Sequence, residues 1–449
     1  MNHLLNKYNV PGPRYTSYPT VPYWDKDGIR YSDWENTVRK SFIESNSRTG
    51  ISLYIHLPYC ESLCTFCGCN KKITKNHAVE QPYLEAVLRE WDLYLNLFPQ
   101  KPVLKDLHIG GGTPTFFSPE NLEKLMDGIL SKSIKHPEAT FGFEGHPNNT
   151  QKEHLKAMKE LGFERVSYGI QDFDAKVQEV INRIQSFENV EKVTKWSREL
   201  AYQSINFDVV YGLPFQTLEG LKDTFQKISK LMPERIAFYS YAHVPWIKGT
   251  GQRKFTEEDL PAAPLKRQLY ETGRDILQKL GYKEIGMDHF SLTNDALYQA
   301  VNNKTLHRNF MGYTPSTTQL MIGLGASSIG DTWYSFAQNE KEVDIYLEKV
   351  QEGKLPIFRG HLLSEDDLII RKHILNLMCK MQTSWTNQEE ISDILERLEE
   401  VKADNLVEIK ENTLLVKEEG KAFLRNICMA FDRRLWADKP QTKIFSMTI

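Results

Sequence analysis

The chain has 449 residues, 40% hydrophobic and 26% charged, enough for a globular core spread over two or three domains. A formal net charge of −3 leaves no basic footprint for nucleic acid, and no apolar run approaches the roughly 18 residues of a membrane span. The opening MNHLLNKYNVPGPRY stays polar, without the cationic start and apolar core of a secretory leader. A cytoplasmic monomer with reduced thiols is therefore expected.

In chain order, residues 1–50 carry the proline-rich VPGPRYTSYPTVPYW and read as an extended arm over the core. From 51 to about 245, short β-branched and aromatic runs alternate with helical patterns. The strand candidates are SLYIHL (52–57), KDLHIG (105–110), TFGFEG (140–145), RVSYGI (165–170), INFDVVYG (205–212) and RIAFYSYA (235–242). Helical patterns lie between them; one starts at Pro119 behind the N-cap candidate Ser118. This alternation predicts an α/β fold with parallel strands. Six units are too few for a closed eight-fold barrel, so a partial (β/α)6 TIM-like barrel, open on one side, is expected over 51–360. LMIGLGASSIG (320–330) reads as a later strand or turn closing one edge. Residues 361–449 form a mainly helical C-terminal domain whose order of helix, helix, hairpin and helix resembles a winged-helix module. Its many acids, among them Glu389, Glu390, Glu399 and Glu400, favour a lid or scaffold over DNA binding.

YIHLPYCESLCTFCGCN (54–70) places four of the six cysteines within ten positions. Cys379 and Cys428 stand apart and read as buried small hydrophobes. Structural zinc takes four N/S ligands, usually from two separated pairs, and no second C-x-x-C follows here. Cys69 is an awkward reach for the tetrahedron of Cys60, Cys64 and Cys67. Three thiolates from one loop suit a [4Fe–4S] cluster whose fourth iron stays open to a ligand. The neighbouring Tyr59, Leu63 and Phe66 would limit solvent access to it.

That C-x-x-x-C-x-x-C spacing after a first strand resembles the radical S-adenosylmethionine (radical SAM) family. The resemblance implies that S-adenosylmethionine chelates the open iron and is split to methionine and a 5′-deoxyadenosyl radical. Ligands of parallel α/β folds sit at the carboxyl ends of strands. There the sequence offers HIGGGTPTFF, whose glycines admit close backbone approach, then Glu144, Gln171 in GIQDF, Arg183 in VINRIQ, and Asp208. Asp208, flanked by Phe207 and Val209, is costly to bury unpaired; a salt bridge to Arg183 and a ligand contact are both open.

Taken together, GPRYTSYPT, the cysteine loop, GGGTPT, GIQDF, DVVYGLPFQT, YAHVP, GMDHF, LHRNFMGYT and RNICMAFD resemble the oxygen-independent coproporphyrinogen III oxidase (coproporphyrinogen dehydrogenase) family over essentially the whole chain. The resemblance implies two S-adenosylmethionine molecules. The first would meet Tyr54, Gly111, Glu144 and Ile329; the second Phe66, Gly112, Thr113, Gln171, Arg183, Asp208 and Ala242. Cys69, in the C-x-C of this branch, is not an expected cluster ligand. Where the family often reads E-V-D-P, this chain has EGHP, which keeps Glu144 and leaves His146 either to alter local charge or to sit solvated or satisfied in the core.

The implied reaction is oxidative decarboxylation of two propionates of coproporphyrinogen III to vinyls, yielding protoporphyrinogen IX. The radical, and no side-chain base, is what can remove a hydrogen atom from an unactivated carbon. An unidentified electron donor and acceptor are needed. Arg14 and Arg308 are the candidate carboxylate holders, with His307 nearby, and Tyr15 and Tyr18 either stack on the macrocycle or pack the arm. Three rivals are a haem chaperone of the same family, a radical SAM haem-degrading methyltransferase, and a zinc-stabilised winged-helix regulator.

Overall fold

The computed structural model describes residues 2–245, 251–252, 254–442 and 444–448. Six parallel strands follow one another in sequence: β1 (Ile51–Leu57), β2 (Val103–Gly111), β3 (Ile134–Gly145), β4 (Arg165–Gln171), β5 (Ser204–Tyr211) and β6 (Arg235–Ser240). Apart from the exposed first half of β3, most of their side chains are buried, as expected where helices cover a parallel sheet. The helix Pro119–Leu130 illustrates the local logic. Proline presets its first turn, the Ser118 hydroxyl accepts from the Asn121 N–H at 3.2 Å, and Leu122, Leu125, Met126 and Ile129 form its buried stripe.

The sheet extends past these six. It gains β7 (Lys283–Gly286), β8 (His289–Ser291), β9 (Leu320–Leu324), β10 (Ile329–Thr332), β11 (Ser335–Asn339) and β12 (Ile357–Leu362). The order is β12-β11-β10-β9-β1-β2-β3-β4-β5-β6-β8-β7, twelve strands with two free ends. The barrel is therefore partial and open, as anticipated. The stretch 320–330 supplies two strands rather than one: β9 runs parallel to β1, and β10 turns back antiparallel to β9.

The expectation of a merely extended arm over 1–50 needs correcting. The segment contains the helices Asn2–Tyr8 and Tyr31–Ser45. The second buries Trp34, Val38 and Phe42 completely in the barrel core. Tyr8, Tyr15 and Tyr18 instead join the C-terminal core of Ile370, Ile374 and Leu377. Arg425 clamps the link between them by donating to the carbonyls of Gly12 and Pro13.

Beyond 361 lie the helices Glu365–Lys380, Ser392–Ala403, Leu424–Phe431 and Arg433–Ala437. A small sheet pairs Thr413–Val416 with Val407–Lys410 on one side and Gln382–Ser384, a third strand absent from the sequence reading, on the other. Cys428 is fully buried here and Cys379 partly so. Arg434 grips Asp367 with two bonds of 2.7 Å. Burial alone would raise the Asp367 carboxyl, but His361, Arg434 and the Ser364 amide outweigh it and hold it well below the usual carboxylate range. A depressed carboxylate contributes stability that is complete above its unfolded pKa of about 3.9 and is lost as pH falls below it. Replacing Arg434 by Met is expected to cost about 1–3 kcal/mol at pH 7 in urea titrations. That is less than for a fully buried pair, because the Arg434 side chain is 33% exposed. The difference from the parent should shrink toward pH 3.

Candidate active site

A cavity of about 530 Å³ opens at the carboxyl ends of the strands, with Cys60, Cys64, Cys67 and Cys69 along one wall. The cysteine loop is held by its neighbours. Thr65 donates through both its N–H and its hydroxyl to the carbonyls of Ile181 and Val180 (each 2.9 Å), and the Asn182 amide donates to Leu63 O at 2.8 Å. Those ties bring Arg183 against the loop, where Nη1 lies 3.6 Å from Cys64 Sγ while Nη2 donates to Gly169 O at 2.8 Å.

The glycine turn packs against the same loop. Gly111 has φ +118°, and a Cβ there would lie 2.9 Å from the His56 ring. At Gly112 a Cβ would lie 2.7 Å from the Pro58 carbonyl. Only glycine permits this approach. It lets the Gly112 N–H donate to Leu57 O (2.8 Å) and sets Thr113 Oγ1 3.3 Å from Cys60 Sγ.

The thiols are electrostatically unequal. Burial pushes Cys60 up to about 11, partly offset by Thr113. Cys67 falls to about 6, chiefly because the Cys69 S–H donates to it, with Lys71 nearby. Among the described residues no three His, Cys, Asp or Glu side chains converge on a single ion.

Across the cavity, Glu144 Oε2 accepts from the Gly111 N–H and Oε1 lies 3.3 Å from His108 Nε2. Asp208 accepts from Asn206 (2.8 Å) and Ser167 (3.3 Å). Among the described residues it forms no ion pair with Arg183, so the salt-bridge alternative is not realised. Burial, then the Glu144 charge, raises Asp208 to about 6. Gln171 adopts φ +64°, costly for a residue with a side chain. Gly169 makes room for it: a Cβ there would lie 2.5 Å from Gln171 Nε2 and 2.7 Å from Arg183 Nη2. His146 also lines the cavity, but burial and then Arg183 drive it down to about 2. The EGHP departure thus adds a neutral ring, whose Nδ1 accepts from the Asn148 N–H at 3.1 Å.

Of the expected nucleotide contacts, Tyr54, Ala242 and Ile329 do not line the cavity and the others do. Tyr54 stacks on His108 and lies 3.1 Å from His56 Nδ1. The Ala242 carbonyl accepts from Gln252 at 3.2 Å, and Ile329 pairs with Gln338 in the sheet. None of the substrate candidates lines it either. Arg14 donates to Ser240 O at 2.9 Å and faces Asp288 at 3.4 Å. Arg308 donates to Arg14 O and lies 4.6 Å over Tyr313. His307 is driven down to about 4 by burial and then Arg371. Tyr15 and Tyr18, open between stacking on the macrocycle and packing the arm, are 2% and 1% exposed and take the packing alternative. Their rings are spent sealing the arm to the C-terminal core, and the Tyr15 hydroxyl donates to Asp432 at 3.1 Å. Ser167 and Tyr239 line the cavity unpredicted; both point inward from strand positions that only the period-2 alternation marks.

A three-thiol loop facing strand-end carboxylates inside an open parallel barrel is the arrangement of the radical SAM enzymes. Residues 54–228 match the Radical SAM superfamily, so a [4Fe–4S] cluster and S-adenosylmethionine are its cofactors. Over nearly full length the chain is similar to the oxygen-independent coproporphyrinogen III oxidases of Pseudomonas aeruginosa (34% identical, covering 96% of this chain and 95% of the relative) and Synechocystis sp. (36%, covering 99% and 97%). The solved coproporphyrinogen III oxidase of Escherichia coli superposes with a TM-score of 0.88 at 33% identity, covering 94% of this chain and 97% of that one. The chain belongs to the oxygen-independent coproporphyrinogen III oxidase family.

Proposed function

We infer that this chain decarboxylates two propionate arms of coproporphyrinogen III to vinyls without oxygen, giving protoporphyrinogen IX in haem biosynthesis. The observation that carries this reading is the three-thiol loop opening onto a cavity lined by Glu144, Gln171, Arg183 and Asp208. In this reading Cys60, Cys64 and Cys67 hold the cluster, and Cys69 supports Cys67. With S-adenosylmethionine, the cluster supplies the carbon-centred radical that removes a hydrogen atom from the propionate. Glu144 accepts from ribose hydroxyls of one nucleotide beside Gly111. A second nucleotide meets Phe66, Gly112, Thr113, Gln171, Arg183 and Asp208. Eight of the eleven inferred contacts, those other than Tyr54, Ala242 and Ile329, face one cavity, which supports two sites. Arg308 keeps an unpartnered Nε and remains the better substrate candidate than Arg14, which Asp288 already engages.

The arm and the C-terminal domain serve as scaffold for the barrel, since Arg425 and the buried tyrosines bind them to each other. Free thiols and the cluster suit a reducing, cytoplasmic setting, with a separate electron donor and acceptor. No helix among the described residues is long and apolar enough to cross a membrane. The test is anaerobic reconstitution with iron and sulfide, followed by reductant, S-adenosylmethionine and coproporphyrinogen III. The expected yield is 5′-deoxyadenosine with loss of two CO₂ per substrate. Nucleotide cleavage that never decarboxylates this substrate would refute the reading.

A further inference from the structure

A second cavity of about 120 Å³ continues below the first, sharing Glu144, Ser167, Asp208 and Tyr239 with it. It reaches the amino ends of the strands. Arg165 opens β4 and is paired with Ser204, which opens β5; Arg235 opens β6 beside Asn206. Both arginines line this floor, together with His289.

Two guanidinium nitrogens at this floor are buried without partners. Arg235 Nε pairs with Asp295 at 2.7 Å, but its Nη2 is buried without a partner. Arg165 Nη1 is likewise buried and unpartnered, and no carboxylate lies within ion-pair distance of Arg165 among the described residues. His289 Nε2 lies 3.3 Å from the Tyr239 hydroxyl, leaving Nδ1 unpartnered. A buried guanidinium left unpaired is costly, and a cavity polar on its floor and open above is a place for an anion. Burial, then Arg235, pulls Arg165 down to about 10; a bound carboxylate would relieve both effects. Glu144 and Asp208 line the upper wall, so the anion's seat is the lower end.

We propose that this floor, with Arg165 as its free cation and Arg235 beside it, is a subsite for a substrate carboxylate on an arm that is not the one being oxidised. The proposal rests on the reading of the substrate as a tetracarboxylate macrocycle. A guanidinium presents paired donors that match a carboxylate. Each strand residue advances about 3.3 Å, so Arg165 lies roughly 13 Å below Gly169, the residue level with Asp208. A carboxylate seated at this lower end lies beyond the nucleotide residues from the cysteine loop, the place of an arm other than the one presented to the radical. The floor thus sets which arm is presented, and distinguishes substrates by whether a carboxylate occupies the opposite arm.

The test is equilibrium binding under anaerobic conditions to the reconstituted protein, using coproporphyrinogen III and its tetramethyl ester as paired probes. Arg165→Met is expected to weaken the acid roughly 10- to 200-fold, the effect of one or so charge-assisted bonds, and to leave the ester unchanged. Arg165→Lys should fall between. Acid binding as tight as wild type in Arg165→Met overturns the proposal; so does equal weakening of acid and ester, which would mark a structural role. If Arg165→Met fails to fold by thermal melting, Arg165→Lys decides: selective weakening of the acid supports the subsite and no weakening refutes it. Wild type that binds and decarboxylates the acid while the variants behave identically sinks the floor alone. Wild type that binds no coproporphyrinogen sinks the proposed function with it.

Discussion

Replacing Cys60, Cys64 or Cys67 singly by Ala is expected to remove the brown absorbance and most of the iron after reconstitution, with product formation falling below detection. In the proposed ligand set each thiolate holds one iron, and a cluster with two protein ligands is open to solvent and to loss of iron. Cys69→Ala should behave differently. Cys69 donates to Cys67 and is not a ligand in the proposed set, so iron content should stay near wild type. Hydrogen bonds to cluster sulfurs favour the more electron-rich state. The cluster's reduction potential in Cys69→Ala is therefore expected to move negative, with slower reduction by a given donor. Iron analysis, visible absorbance and a redox titration distinguish the four variants. Iron retained at wild-type level in any of the first three, or lost in the fourth, would contradict the ligand assignment.

The barrel and its site were legible in the sequence to different depths. Strands β1 to β6 announce themselves because each contains a β-branched or aromatic run bounded by helical patterns; five were anticipated within two residues at each end, while β3 starts six residues before the run at 140–145. The extension from β7 to β12 was largely invisible. Strands such as KEIG and HFS are three or four residues long, too short for alternation to register, and are held by antiparallel pairing to edges that the sequence does not specify. Proline-rich composition at 1–30 obscured the helix Tyr31–Ser45, whose buried Trp34, Val38 and Phe42 carry the signal at i, i+4 and i+8.

The cavity followed the same rule. Cys60, Gly112 and Glu144 were readable because their neighbours constrain them: thiols by spacing, glycines by their run, the carboxylate by its place at a strand end. Arg165 and Arg235 were not, since an arginine opening a strand reads as a solvated charge. The one available sign is that β4 and β6 both open with Glu-Arg before an apolar run, and only the parallel register brings the two guanidiniums to one floor. Tyr15 and Tyr18 were legible only as a choice between a binding surface and packing of the arm. Aromatic residues beside an arginine suggest a binding surface, but their destination was set by an apolar core formed some 350 residues later in the chain.

Glu144 and Asp208 form the pair whose removal should have the other large effect. Glu144 accepts from the Gly111 N–H and faces the same cavity as Asp208, and its charge helps raise Asp208 to about 6. On the proposed ribose contact, Glu144→Ala removes an acceptor, and charge-assisted hydrogen bonds contribute about 1.5–3 kcal/mol each, so nucleotide binding should weaken roughly 10- to 200-fold. Glu144→Gln keeps the shape and loses the charge. Only ionised Asp208 is purely an acceptor, so nucleotide binding in wild type should strengthen as pH rises through about 6. Without the repulsion from Glu144, Asp208 ionises more readily, and the same limb should shift to lower pH in Glu144→Gln. Measured as nucleotide affinity between pH 5 and 8, an unshifted limb would separate the two carboxylates, while a shift to higher pH would reverse the sign of their coupling. Asp208→Asn should abolish the limb itself, since it removes the carboxyl that burial and the Glu144 charge raise to about 6.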